Sequence, residues 1–213
     1  MSYKETLYKN ALSAIEKIYT DSKYNSDVDL YRSFDIINSV NEGQVASKEW
    51  LVKTLTPFID PNGKDICVLG GWYGLIALMI SEHVSKDVRI DTVDCDPETE
   101  IYGRSLLTDK HNIHFRIEDA ADWFFDRPKR YQILINTSCE HIEQEDLDLM
   151  IGAKDKDTII CFQSNNYHSV QSHINTHNSL DEFVNSLQLK EVLHKEKMRA
   201  PNNEYDRYMV IGK

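Results

Sequence analysis

The sequence predicts an α/β fold: a doubly wound, mostly parallel seven-stranded sheet with helices on both faces, a C-terminal antiparallel hairpin and an N-terminal helical extension. Three observations predict it. From residue 64 onward, short apolar runs alternate with segments of helical periodicity, as in a parallel sheet joined by helical crossovers. The first run, at 66–69, passes straight into Gly70, Gly71 and Gly74 and then into LIALMISEHV. A strand, a tight turn and a helix in that order present backbone N–H groups to a ligand. The last two runs have no helix between them, so they pair as a hairpin.

Taken in order, apolar residues at 7, 11, 12, 14, 15, 18 and 19 give helical spacing over 3–19. A polar stretch at 20–29 breaks it, and 30–37 reads as a short second helix. Asn41-Glu42-Gly43 reads as a turn, and Ser47 as the N-cap of a third helix carrying Trp50, Leu51, Leu55 and Phe58 on one face. Pro61-Asn62-Gly63 closes this section, so 1–60 reads as a helical cap and 61–213 as the core of one domain. Strands are expected at 66–69, 89–94, 113–117, 133–136, 158–163, 190–198 and 208–211. Helices fall between them at 74–85, 97–109, 119–125, 143–151 and 179–187, and Pro201-Asn202-Asn203-Glu204 links the last two strands.

Composition narrows the class. At 213 residues, 41% hydrophobic and 28% charged, the chain suits a soluble globular protein with a substantial core. Its apolar runs fall far short of the ~20 residues that span a bilayer. The first residues are charged throughout, without a signal core, so a cytoplasmic location and no membrane partner are expected. A net charge of −11 argues against a broad duplex nucleic-acid surface and leaves a small-molecule or nucleotide-like partner. Cys67, Cys95, Cys139 and Cys161 show no C-x-x-C spacing and read as buried free thiols rather than a zinc or redox pair.

The acids have telling positions. Asp94 closes the second strand twenty residues after Gly74, where a carboxylate accepts both hydroxyls of a ribose lying across the strand ends. Asp96 and Pro97 suit the start of the next helix. At the third strand end, Asp119 is placed to accept from an exocyclic amine such as that of adenine, with the Ala120 N–H on a ring nitrogen and Trp123 or Tyr73 over the base. Asp119 reads equally as a helix N-cap.

Gly70-Gly71-Trp72-Tyr73-Gly74, Asp94 and Asp119-Ala120, followed by the hairpin, resemble the class I S-adenosylmethionine-dependent methyltransferases over residues 44–213. GGWYG and NTSCEHI are also similar to small methyltransferase-like proteins of phage and bacterial origin. The family's glycine motif usually reads acid-x-G-x-G-x-G. Here Val68 stands at the acid and Trp72 at the middle glycine, while Gly70 and Gly74 match the outer ones. The resemblance implies seven strands with the last antiparallel, and S-adenosyl-L-methionine as cofactor. The implied cofactor residues are Gly70, Gly71, Trp72, Tyr73, Gly74, Asp94, Cys95, Asp119, Ala120 and Asn136, with Trp72 filling the methionyl side. A helix ahead of the first strand commonly closes over the cofactor in this family, which places Lys48 on the methionyl carboxylate.

Residues after the fourth strand lie beside the transferred methyl in this family. Glu140 and His141 fall there, suited to acid–base work because imidazole titrates near neutrality and a neighbouring carboxylate raises its pKa. The pair resembles one in many small-molecule O-methyltransferases. A metal-dependent RNA-end group similar in this pair carries a further Glu three residues earlier, where this chain has Thr137, so no metal is assigned. Gln163, Asn165 and His168 after the fifth strand read as acceptor contacts, and Tyr31, Arg32 and Phe34 as further candidates. His173 and His177 read, like His168, as solvated loop histidines. The implied activity is methyl transfer to a small-molecule or nucleotide-like acceptor. Two alternatives stand beside it: transfer of another group from, or cleavage of, the same cofactor, and a non-catalytic binding module.

Overall fold

The computed structural model describes residues 3–21, 26–107, 111–127, 130–200 and 204–213. Residues 22–25 of the polar stretch, 108–109 of an expected helix and Pro201, Asn202 and Asn203 of the hairpin loop lie outside the described residues. Three helices come first: α1 (Tyr3–Asp21), α2 (Ser26–Ser39) and α3 (Glu42–Leu55). The alternating part follows as β1 (Asp65–Leu69), α4 (Leu75–Ser81), β2 (Ile90–Asp94), α5 (Glu98–Leu106), β3 (Ile113–Ile117) and α6 (Ala120–Phe125). It continues with β4 (Tyr131–Asn136), α7 (Gln144–Ala153), β5 (Ile159–Asn165), α8 (Leu180–Ser186), β6 (Val192–Arg199) and β7 (Asp206–Gly212).

These form one seven-stranded sheet in the order β3-β2-β1-β4-β5-β7-β6. Strands β1 to β5 pair in parallel, and β7 runs antiparallel to both of its neighbours. The class I methyltransferase sheet implied by the resemblance is therefore what forms. Alternation along each strand separates two apolar layers. Ile66 and Val68 of β1 pack with α1 to α5, whereas Cys67 and Leu69 pack with α6, α7 and α8.

Three local expectations are corrected. Helix α3 begins at Glu42, because Asn41 caps it by accepting from the Gln44 N–H at 2.9 Å; Ser47, the expected cap, is buried in its interior. Asn caps as well as Ser, and starting earlier places Gln44, Lys48, Leu51 and Leu55 on one inward stripe. Second, Cys95 is exposed, while Cys67, Cys139 and Cys161 are buried free thiols. Third, His177 is buried against Phe183 rather than solvated. No helix among the described residues is long and apolar enough to cross a membrane.

Candidate functional site

The turn after β1 uses left-handed backbone three times, at Gly70 (φ 61°), Trp72 (φ 48°) and Gly74 (φ 79°). Glycine adopts this freely; tryptophan does so at a cost, so surrounding contacts must hold it. They do. The Trp72 amide donates to Asp94 Oδ2 at 2.9 Å, its indole Nε1 donates to Asp35 Oδ2 at 3.0 Å, and its ring stacks on Tyr73 with centroids 5.6 Å apart. The Tyr73 hydroxyl donates to the same Asp35 oxygen at 2.6 Å and accepts from Arg32 at 3.0 Å. Arg32 also donates to Asp96 at 2.7 Å, so α2 straps the turn to the start of α5. Tyr73 is thus buried as a brace, and Arg32 serves the same brace.

Asp94 organises the turn from the β2 side. Its Oδ2 takes the Trp72 amide and its Oδ1 takes the Asp96 amide at 3.1 Å. Burial pushes its pKa up, against the pull of these two N–H groups. Each carboxylate oxygen keeps a further lone pair for a ligand hydroxyl.

Beyond the carboxyl ends of β1, β4 and β5 lies a cleft of about 610 Å³. Gly70, Gly71, Trp72 and Asp94 border it on the β2 side, and Lys48, Glu140, His141, Asn165 and Arg207 border it toward β5 and β7. A one-turn 3-10 helix, Cys139–His141, turns Glu140 inward and His141 outward. Asn165 Nδ2 donates to Glu140 Oε1 at 2.7 Å, Arg207 Nη2 stands 3.5 Å from that oxygen, and Glu140 Oε2 is buried without a partner. Arg207 also donates to the Thr137 carbonyl at 2.6 Å. His141 Nδ1 lies 3.0 Å from the Ser172 carbonyl. A carbonyl only accepts, so this nitrogen carries a proton, and in the neutral imidazole Nε2 keeps its lone pair. Lys48 is buried and donates to Gln44 Oε1. Burial first, and the Arg207 charge second, push its pKa down to about 7, with Glu140 pulling the other way.

Several expected residues lie elsewhere. Asp119 is exposed and caps α6, its Oδ1 accepting from Ala121 at 2.9 Å and Asp122 at 3.3 Å. Neither it nor Ala120, Cys95, Gly74 or Asn136 borders the cleft. Asn136 is buried beneath it, with Oδ1 accepting from the Ser138 amide at 2.7 Å. Gln163 is buried too, its Oε1 facing the Ser47 hydroxyl at 3.4 Å. His168 is exposed, with Nδ1 2.6 Å from the Thr176 hydroxyl, and Tyr31 and Phe34 are exposed away from the cleft. For Asn136 and Gln163 the reason is alternation, because successive side chains of β4 and β5 point to opposite faces; the others lie in loops, at helix starts or on α2.

Sequence reading passed over Arg207, Tyr205 and Asp35. Arg207 stands one residue before the expected strand at 208–211 and gave no signal. Tyr205, stacked on Tyr167 at 5.0 Å and lining the cleft, follows a loop and had none.

No family model matches the chain, and no curated protein does. Among solved structures the chain is similar to the N-methyltransferase NodS from Bradyrhizobium japonicum WM9, with TM-score 0.65 and 10% identity over 82% of this chain and 97% of that one. It is also similar to magnesium protoporphyrin IX methyltransferase (ChlM) from Synechocystis PCC 6803 with bound SAM, at TM-score 0.60 and 11% identity over 95% and 90%. A third is MtNAS in complex with MTA and tNA, at TM-score 0.58 and 12% identity over 98% and 70%. Likeness at these identities speaks for architecture, and the architecture of this chain is the class I S-adenosylmethionine-dependent methyltransferase fold.

Proposed function

We propose that the cleft binds S-adenosyl-L-methionine and that the chain transfers its methyl group to a small-molecule or nucleotide-like acceptor. One observation carries the reading: the braced Gly70–Trp72 turn with Asp94, and the polar group of Glu140, His141 and Asn165, border opposite sides of a single cleft. Neighbours of the same fold hold SAM or its product SAH, which supports the cofactor. Asp94 then takes the ribose hydroxyls, and Lys48 pairs with the methionyl carboxylate. Residues 1–60 act as a cap on 61–213, with α2 bracing the turn and α3 supplying Lys48. Three buried thiols suit a reducing, cytoplasmic setting.

The acceptor's lone pair attacks the methyl carbon in line with the sulfur–carbon bond, and the electron pair of that bond returns to sulfur as a neutral thioether. Positive charge is lost from sulfur rather than created, so alignment supplies most of the acceleration. Where the acceptor is a hydroxyl or protonated amine, His141 Nε2 takes its proton.

Calorimetric titration with SAM and SAH tests the binding step. Binding is expected for the native chain. In Asp94→Ala it should weaken by roughly 100-fold, about 3 kcal/mol, because two hydrogen bonds to a charged group are lost. No measurable heat with either ligand would overturn the reading.

A second reading keeps the cofactor and changes the carbon attacked, moving the aminocarboxypropyl group instead. The likeness to MtNAS, found with MTA and spanning 98% of this chain, favours keeping it in view. Analysis of spent cofactor separates the two: S-adenosylhomocysteine marks methyl transfer, methylthioadenosine the alternative.

A further inference from the structure

On the side of the cleft opposite the Gly70–Trp72 turn, two loops bring together groups that methyl transfer alone does not explain. Glu140 and His141 come from the 3-10 turn after β4, and His173 from the loop after β5. One ligand atom from each lies within 4.8 Å of the other two. The imidazoles of His141 and His173 meet edge to face, centroids 4.7 Å apart at 83°.

Each group is held so that a lone pair remains free. His173 Nδ1 lies 2.8 Å from the Tyr167 carbonyl, as His141 Nδ1 lies 3.0 Å from that of Ser172. Both Nδ1 atoms therefore carry protons, and in the neutral imidazoles both Nε2 atoms keep lone pairs. Fixing one imidazole nitrogen on a backbone carbonyl is how proteins orient the other toward a metal ion. Glu140 is held likewise: Oε1 takes the Asn165 amide, while Oε2 is buried with no hydrogen-bond partner. A buried carboxylate oxygen left unpaired is costly. The two loops are also tied together, since Asn175 donates from its amide to the Glu140 carbonyl and from Nδ2 to that of Ile142, both at 3.0 Å. The two loops are thus held together by the protein's own hydrogen bonds.

We propose that Glu140, His141 and His173 bind one transition-metal ion, Zn²⁺ or Co²⁺ in the test below. Two imidazoles and one carboxylate leave positions open toward the cleft, as in sites that hold a metal with exchangeable ligands. Arg207, 3.5 Å from Glu140 Oε1, and Lys48 across the same cleft oppose ions held by charge alone. Imidazole donation therefore sets the affinity, which selects against Mg²⁺ and Ca²⁺. The proposal does not rest on methyl transfer. While an ion is bound, His141 Nε2 has no lone pair for an acceptor's proton, so the two uses of that atom alternate.

The test is calorimetric titration of untagged, chelator-treated protein with ZnCl₂, CoCl₂ and MgCl₂, with the visible spectrum of the Co²⁺ form recorded alongside. One Zn²⁺ or Co²⁺ should bind per chain, and Mg²⁺ far more weakly. His173→Ala should weaken Zn²⁺ binding by about 100-fold. His168→Ala, at an exposed histidine outside the cleft, should leave it unchanged. Circular dichroism establishes that each variant is folded; if His173→Ala is not, His141→Gln and the native Co²⁺ spectrum decide. Failure of the native chain to bind Zn²⁺ or Co²⁺ at one per chain overturns the site. So does full affinity in His173→Ala, or a Co²⁺ spectrum without nitrogen ligation. Separate SAH titrations keep this outcome distinct from that of the cofactor reading.

Discussion

Replacing Gly71 by alanine is expected to lower stability by about 3 kcal/mol and to abolish S-adenosylhomocysteine binding. A Cβ at position 71 would lie 1.9 Å from Thr92 Oγ1 and 3.1 Å from Thr92 Cβ. Thr92 sits on β2 at 1% exposure, and a β-branched side chain on a strand has little freedom to turn away. The turn cannot retreat cheaply either. Its Gly71 amide donates to the Val93 carbonyl at 2.9 Å, and the next amide is the one Asp94 holds. Lifting the turn to admit one methyl group breaks both bonds and displaces the Asp94 carboxylate from its place beside the cleft. Gly152→Ala is the matched control: an exposed helical position where an added Cβ meets nothing within 4 Å. It should gain up to about 1 kcal/mol from helix propensity. Urea unfolding midpoints and SAH titrations read both variants. A Gly71→Ala chain that unfolds at the native midpoint would show that the turn moves without cost and that its contact with β2 is not what shapes it.

The second large effect is at Lys48. Its amine is buried at 7% exposure, with Arg207 opposing its charge and Glu140 favouring it, and its pKa falls from 10.5 to about 7. A lowered lysine pKa means the unfolded chain binds the proton more tightly than the folded one. The folded state therefore loses stability as pH drops from the unfolded value toward 7, and the loss is complete below that. At about 1.4 kcal/mol per unit the loss amounts to several kcal/mol. Lys48→Met removes it. The variant should exceed the native chain by several kcal/mol near pH 6, and by only about 1 kcal/mol near pH 10, where the folded amine is already neutral. Cofactor binding should move oppositely, weakening in Lys48→Met through loss of the partner for the methionyl carboxylate. In the native chain that carboxylate restores the amine's charge, so SAM binding above pH 7 should take up protons, visible as a dependence of calorimetric heat on buffer ionisation. Parallel melting curves for the two proteins between pH 6 and 10 would rule out this role for Lys48.

What was legible in the sequence was local. The apolar runs, the glycine turn and the helix after it depend on neighbours a few residues away, and each formed within a few residues of its expected position. Asp94 was legible because a strand–turn–helix–strand unit has a nearly constant length, which sets where the second strand must end. Local evidence is also ambiguous where two local roles coincide. Asp119 reads alike as a base contact and as an N-cap, and its Oδ1 caps α6. Asn41 and Ser47 are both good caps, and the earlier one took the helix.

The sequence by itself determined the sheet of parallel strands with its closing hairpin, the turn at 70–74 and its partner acid, because periodicity and turn chemistry act over short stretches of chain. Only the tertiary structure decided that Asp35 braces Trp72, that Lys48 is buried, and that Arg207 and His173 join Glu140 and His141. Those residues come from elements far apart in sequence, and the order β4-β5-β7 places their strand ends side by side. Strand order follows from packing of the whole sheet, which no local pattern encodes. The Gly70–Trp72 side of the cleft could therefore be read from the chain together with Lys48, Glu140, His141 and Asn165, while Asp35, His173 and Arg207 had to be folded to be found.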